Sequence, residues 1–359
     1  MRFLPPATIA QRDEFDEVID VRTPAEFADD HIPGAINCPV LSDDERVVVG
    51  TLYKQASPFE ARKVGAALVA RNIAHHLDAR FHDRPKSWRP LVCCWRGGQR
   101  SGAMTLILQQ VGWGARQLEG GYKQYRKQVM DALAEAPARF RFRVLCGPTG
   151  SGKSRLLDAL AEAGHQVLDL ERLACHRGSV LGALPDEPQP SQKRFESLLW
   201  LALSALDPAR PVHIEAESRR IGRLTVPGSL IDAMHQGDCL CLEVPLGERV
   251  RFLLEDYDYF LRQPAPLMAR LGQLRELHGR EKLAQWEALI KAGAFPALVE
   301  ALLVEHYDPL YGRSTDRHYA NLAEAQHLRL DNLSVPALTA LAAKWQDDRQ
   351  KISAPPPSS

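Results

Sequence analysis

No run in this 359-residue chain is apolar for long enough to cross a bilayer, which argues against a membrane-spanning protein. Its first residues, Met1-Arg2-Phe3-Leu4-Pro5-Pro6, lack the pattern of a secretory leader. The seven cysteines (Cys38, Cys93, Cys94, Cys146, Cys175, Cys239 and Cys241) form no evenly spaced framework and no paired C-x-x-C arrangement. That argues against a disulfide-stapled scaffold or a zinc ribbon, and sets the expectation of a reducing cytoplasm and no structural metal. Net charge is missing as well, with 45 basic against 45 acidic side chains. The balance does not hold locally: residues 80–143 carry 13 Lys and Arg against 4 Asp and Glu, whereas residues 1–79 carry 8 against 13. A basic middle with acidic flanks suits an anionic partner there, and on charge alone suits a solvated basic face equally well.

Within that basic middle lies Leu91-Val92-Cys93-Cys94-Trp95-Arg96-Gly97-Gly98-Gln99-Arg100-Ser101-Gly102. Leu91 to Cys93 has the composition of a buried strand, and Ser101 opens an apolar helical stretch, with the serine or glycine as its N-cap. The Gly97-Gly98 pair lets the chain curl so that successive N–H groups converge on one point. Cys94 then sits beside a helix N-terminus with Arg96 and Arg100 close by, a setting that favours the reactive thiolate. These three are the expected catalytic residues, while Cys93, on the opposite strand face, reads as core.

A second motif follows strand-like Phe142–Cys146: Gly147-Pro148-Thr149-Gly150-Ser151-Gly152-Lys153-Ser154, the full G-x-x-x-x-G-K-S of a P-loop, with Leu156, Leu157 and Leu160 marking the helix behind it. In such a loop the amides around Gly147, Thr149, Gly150, Ser151 and Gly152 wrap a diphosphate. Lys153 neutralises the terminal phosphate, and Ser154 offers its hydroxyl to Mg²⁺. The strand Val212-His213-Ile214-Glu215-Ala216-Glu217-Ser218 ends in carboxylates, and Glu217 is the favoured second residue for Mg²⁺, with Asp169 behind it. His176, Arg177 and Arg219 supply positive charge suited to phosphate or to a leaving group. From Glu248 the chain reads as mostly helical; its aromatics Tyr257, Tyr259, Phe260 and Tyr307 read more readily as core than as cover for an apolar ligand tail or unpaired bases.

Several further stretches carry a resemblance. Asp20-Val21-Arg22-Thr23-Pro24-x-Glu26-Phe27, His31-Ile32-Pro33-Gly34-Ala35-Ile36-Asn37 and Leu118-Glu119-Gly120-Gly121-Tyr122, taken with the Cys94 loop, resemble a rhodanese domain. The resemblance implies a helix-flanked parallel sheet with a persulfide-forming cysteine after a central strand. Rhodaneses commonly place four residues between this cysteine and an arginine, whereas five separate Cys94 from Arg100. The wider loop also resembles that of rhodanese-like phosphatases and departs from simple sulfur transfer from thiosulfate. The rhodanese-like half followed by the P-loop half resembles the bacterial tRNA 2-selenouridine synthases. The likeness extends to Asp43-Asp44-Glu45-Arg46, Gly50-Thr51-x-Tyr53-Lys54-Gln55, Leu170-Glu171-x-Leu173-Ala174-x-His176-Arg177-Gly178-Ser179 and Glu217-Ser218-Arg219.

That resemblance implies replacement of sulfur by selenium in wobble 2-thiouridine of tRNA, with selenophosphate and geranyl diphosphate as co-substrates and a selenophosphate-supplying enzyme as a partner. Lys153 and Ser154 would stabilise the departing diphosphate, and Cys94 would act in the selenium step, as a perselenide carrier or in the departure of geranyl thiol. Whether ATP binds the P-loop is left open. The expected fold is α/β throughout: a rhodanese-like parallel sheet over residues 1–130, a linker over 131–141, a P-loop NTPase-like domain with a helical C-terminal part over 142–352, and a disordered tail over 353–359. Three other readings stand beside it: a rhodanese coupled to an ATP-dependent kinase-like module, a Cys94–Arg100 phosphatase, and a non-catalytic tRNA-binding sulfur-relay adaptor. The phosphatase reading is weakened by the lack of an acidic residue within the loop.

Overall fold

The computed structural model describes residues 4–311, 319 and 321–345, so the expected tail and the end of the last expected helix lie outside the described residues. Two compact units emerge, Met1–Leu133 with Pro190–Leu201, and Ala134–Gln189 with Ala202–Ser359.

The first unit is built on four parallel strands, β1 (Glu17–Asp20), β2 (Ile36–Asn37), β3 (Pro90–Cys93) and β4 (Arg116–Gln117), in the order β2-β1-β3-β4. Parallel pairing requires crossovers, supplied by helices α1 (Pro24–Asp29), α2 (Asp43–Gln55), α3 (Pro58–His76), α4 (Gln99–Val111) and α5 (Gly121–Glu135). Their starts are written locally. Thr23 and Ser42 each close a capping box with Glu26 and Glu45, and Ser57 caps α3 ahead of Pro58. The core joins Ile19, Val21, Val92, Met104, Leu108 and Trp88 between sheet and helices. Strand β3 is buried at every position, as an inner parallel strand should be. Helix α4 starts earlier than its apolar periodicity suggests: its N-cap is Gly98, which leaves Ser101 inside the first turn with its hydroxyl free for another role. The stretch Asp43–Gln55 forms a complete helix with no buried residue. Pro190–Leu201 joins this unit through the start of α8 (Gln192–Ser204), where Lys193 pairs with Asp29 at 2.6 Å and Ser197 donates to the buried Asp30 at 2.8 Å.

The second unit is a five-stranded parallel sheet in the order β11-β10-β5-β7-β6, made of β5 (Phe142–Cys146), β6 (Gln166–Leu168), β7 (Val212–Glu215), β10 (Asp238–Glu243) and β11 (Gln326–Arg329). A small antiparallel pair, β8 (Arg220–Ile221) with β9 (Leu224–Thr225), sits apart. Helix α6 (Lys153–Glu162) packs Leu156, Leu157 and Leu160 against the sheet. Helices α7 (Leu170–Ala174) and α9 (Gly228–His235) complete the α/β layer. Helices α10 (Leu246–Asp256), α11 (Asp258–Arg262), α12 (Pro264–Leu271), α13 (Arg275–Lys291) and α14 (Phe295–Leu302) form the helical part, with its own core around Phe260, Leu271, Trp286 and Leu298.

Candidate functional site: a cysteine loop and a phosphate-loop cleft

Cys94 leaves β3 directly into the loop, its side chain 3% exposed. Two donors converge on its sulfur: the Gly98 N–H at 3.3 Å and the Ser101 hydroxyl at 3.0 Å. Gln117 on β4 orients that hydroxyl, giving its amide N–H to Ser101 Oγ at 2.8 Å and to the Gly98 carbonyl at 2.9 Å. Such a cup suits an anionic sulfur, because both donors are fixed before any substrate arrives. The loop hangs on the N-terminus of α5, whose otherwise orphaned Tyr122 and Lys123 N–H groups donate to the carbonyls of Cys94 and Trp95 at 2.8 and 2.9 Å. Approach is so close that a Cβ on Gly121, at φ +60°, would lie 2.3 Å from the Cys94 carbonyl oxygen. Gly121 in the turn after β4 is therefore a steric requirement of the cysteine loop.

The two expected arginines part company. Arg96 is exposed. Arg100 is bound to Glu26 of α1, Nη1 to Oε2 at 2.6 Å and Nη2 to Oε1 at 3.3 Å. Burial alone would raise the Glu26 pKa, but the Arg100 hydrogen bond and charge outweigh it and hold the carboxyl below its ordinary value. Cys93 is fully buried beside Asp20, and burial pushes its thiol well above the usual range, as suits a core residue.

In the second unit the P-loop runs from β5 into α6, with Gly150 and Gly152 at φ +80° and +75°. Lys153 folds back over the loop, its ammonium donating to the Gly147 carbonyl at 2.8 Å. The Gly147 N–H donates to the Tyr311 hydroxyl. Buried Arg249 props the loop from beneath, donating to the Thr149 carbonyl at 2.9 Å while pairing with Asp308 at 2.6 Å. Ser154 donates its hydroxyl to Glu171 at 3.0 Å.

Carboxylates crowd this end of the sheet. Asp169 caps α7 through the Arg172 N–H at 2.7 Å, and burial raises its pKa. Glu215, at the end of β7, accepts the Glu171 N–H at 2.9 Å; burial and then the neighbouring carboxylates lift it well above its ordinary value, and its other oxygen has no hydrogen-bond partner among the described residues. Glu217 is pushed to about 8, first by burial and then by the Glu171 charge, with Lys153 opposing. The cleft that holds the P-loop is also lined by Asp169, Glu217, His176, Arg177 and Arg219. His176 is buried, and burial followed by the Arg270 charge lowers its pKa; Arg177 is engaged by Asp256, and Arg219 is exposed.

Among the described residues no group of three or more His, Cys, Asp or Glu side chains is placed to hold a metal ion unaided. The donors present fit Mg²⁺ in the shared manner, in which one or two protein oxygens (Ser154 with Glu171 or Glu217) are completed by phosphate oxygens and water. Beside this polar cleft lies an apolar pocket that begins at Thr149 and is walled by Leu253, Tyr257, Leu267, Leu298 and Leu302. Gln117 lay outside every motif, and Glu26 and Glu215 fell inside motifs without being singled out; of the aromatics read more readily as core than as cover for an apolar tail, Tyr257, Phe260 and Tyr307 line the pocket.

Residues 6–128 match the rhodanese-like domain family, and residues 140–285 match the family described as the tRNA 2-selenouridine synthase AAA domain. A tRNA 2-selenouridine synthase of Nitrosomonas europaea is 34% identical over 79% of this chain and 76% of its own length. The chain belongs to the tRNA 2-selenouridine synthase family. Other members, from Aeromonas salmonicida and Shewanella halifaxensis, are 33% and 31% identical over 82% and 88% of this chain and 86% and 94% of their own. Membership makes it a tRNA-modifying transferase with a rhodanese-like and a P-loop-type unit. No helix among the described residues is long and apolar enough to cross a membrane.

Proposed function

We propose that the protein replaces sulfur by selenium in wobble 2-thiouridine of tRNA, through an S-geranylated nucleoside made from geranyl diphosphate, with selenophosphate as the selenium donor. The observation that carries this reading is the apolar pocket opening at Thr149 of the P-loop. A nucleotide needs polar partners for base and ribose beyond its phosphates, whereas this pocket is walled by leucines and aromatic rings and matches an isoprenoid tail.

In the first step the thiocarbonyl sulfur attacks the first carbon of the geranyl group, the carbon–oxygen bond breaks with its electron pair leaving on the diphosphate, and the N3 proton of the base passes to solvent. Lys153, released from the Gly147 carbonyl, meets that developing charge together with the loop amides. Mg²⁺ on Ser154 and the neighbouring carboxylates would add a Lewis acid at the same oxygens. Geranylation turns sulfur into a displaceable thioether. In the second step the selenium of selenophosphate bonds to C2 as the carbon–sulfur bond breaks and the geranyl sulfur leaves as a thiolate; water then cleaves the selenium–phosphorus bond, releasing phosphate and 2-selenouridine. Cys94 gives the departing geranyl thiolate its proton, and the two donors of the cup hold the cysteine thiolate that remains.

Tail length tests the pocket. Dimethylallyl diphosphate has five fewer carbons, so at about 0.8 kcal/mol per buried methylene it forfeits about 4 kcal/mol. Its kcat/KM with thiolated tRNA should fall about a thousandfold below that of geranyl diphosphate. Equal rates for the two donors would overturn the role of the pocket, and turnover of ATP with no prenyl transfer would favour the kinase-like alternative.

A further inference from the structure

Beside Cys94 stands a side chain that the chemistry above does not use. Trp95 follows the cysteine directly and is 36% exposed, whereas its partner ring Tyr122 is 1% exposed. The two rings lie 5.4 Å apart at 34°. The Arg22 guanidinium covers Tyr122 at 3.8 Å from the ring centroid. Arg22 in turn is fixed by Asp20 at 2.6 Å and by the Asp30 carbonyl at 2.6 Å, and the Tyr122 hydroxyl donates to the Asp30 carboxylate at 2.7 Å. Arg22 and Trp95 therefore both pack on Tyr122, in a cluster that is buried and hydrogen-bonded at Arg22 and open to solvent at Trp95.

From this we infer that Trp95 is the stacking platform for the nucleobase on which the Cys94 loop acts. The inference rests on the tRNA reading of the preceding subsection and adds the residue that holds the base. Three features favour a base over other flat ligands. The indole packs against the buried Tyr122 ring and its backbone carbonyl is bound by the Lys123 N–H at 2.9 Å, which reduces the ordering entropy lost on binding. Exposed Arg96 and Lys123 flank it in sequence and bonding, which suits a polyanion backbone. Chemistry at C2 of a loop uridine requires that base to leave its neighbours, and an aromatic face recovers the lost stacking.

The test is a two-way cycle with the full-length protein. Anticodon stem-loops carrying 2-thiouridine or an abasic residue at the wobble position are titrated against wild type, Trp95→Phe, Trp95→Leu and Trp95→Ala by fluorescence anisotropy. Stacking on aromatic side chains is worth about 1–3 kcal/mol per base, so Trp95→Ala and Trp95→Leu should weaken the 2-thiouridine loop roughly tenfold or more. The abasic loop should change less than about twofold, and Trp95→Phe should stay within about threefold of wild type on both. Leucine still covers Tyr122, so it carries the test where alanine unfolds the loop. Equal weakening of both RNAs, or of neither, overturns the inference. Wild type binding neither RNA would instead remove the tRNA reading beneath it.

Discussion

The two polar centres of this chain differ in how completely they are satisfied. The groups that position the Cys94 sulfur are paired: two donors on the sulfur, Gln117 on Ser101, Glu26 on Arg100. Around the P-loop, Lys153 spends its charge on a backbone carbonyl, Glu215 keeps an oxygen without a hydrogen-bond partner, and Glu217 is driven to about 8. A preorganised cup suits a reaction in which the protein's own atom takes part. An unbalanced cleft suits one in which cation and diphosphate arrive together and complete it.

Lys153→Ala is the sharpest way to break this contrast. It removes the ammonium that opposes the Glu217 charge, and geranyl transfer, followed by mass spectrometry of the nucleosides, should fall by at least about a thousandfold while selenation of pre-geranylated tRNA continues. Cys94→Ser should do the reverse, keeping the turn and geranyl transfer but lowering 2-selenouridine formation below about a thousandth of wild type. Gly121→Ala should be milder and act through geometry: the added carbon meets the Cys94 carbonyl, costing about 2–4 kcal/mol in thermal denaturation and slowing the selenium step alone. The smallest effect is a pH dependence. Because the Glu217 carboxyl is raised in the folded state, its contribution to stability is fully present below pH 4.5 and is lost as pH rises towards about 8. The melting temperature of the ligand-free protein should fall across that window, less so in Glu217→Gln, and binding of Mg²⁺ with diphosphate should release a proton that calorimetry in two buffers detects.

Much of the frame was legible because its signals are local. The Thr23-Pro24-x-Glu26 cap, the β3 run and the glycine-rich loop each declare a strand end or helix start within a few residues. What stayed hidden depends on contacts between distant residues. Arg100 looks like a free cation until Glu26, 74 positions away, is brought to it, and Glu215 looks like any strand-ending carboxylate until burial strips it of water. Residues 190–201 fall within the stretch 142–352 expected to form the P-loop domain, yet they group with the first unit, and nothing in their periodicity says that Ser197 meets Asp30. The apolar pocket at Thr149 draws on four helices and the P-loop, so no single window of sequence contains it.

The central claim is that one chain performs prenylation and then selenation on the same nucleoside. Thiolated tRNA should be incubated with the wild-type protein, geranyl diphosphate and Mg²⁺, then with selenophosphate, and its nucleosides weighed at each stage. The account predicts a geranyl adduct of 2-thiouridine first and 2-selenouridine second. Unchanged 2-thiouridine despite tRNA binding, or 2-selenouridine formed at the same rate without geranyl diphosphate, would contradict it.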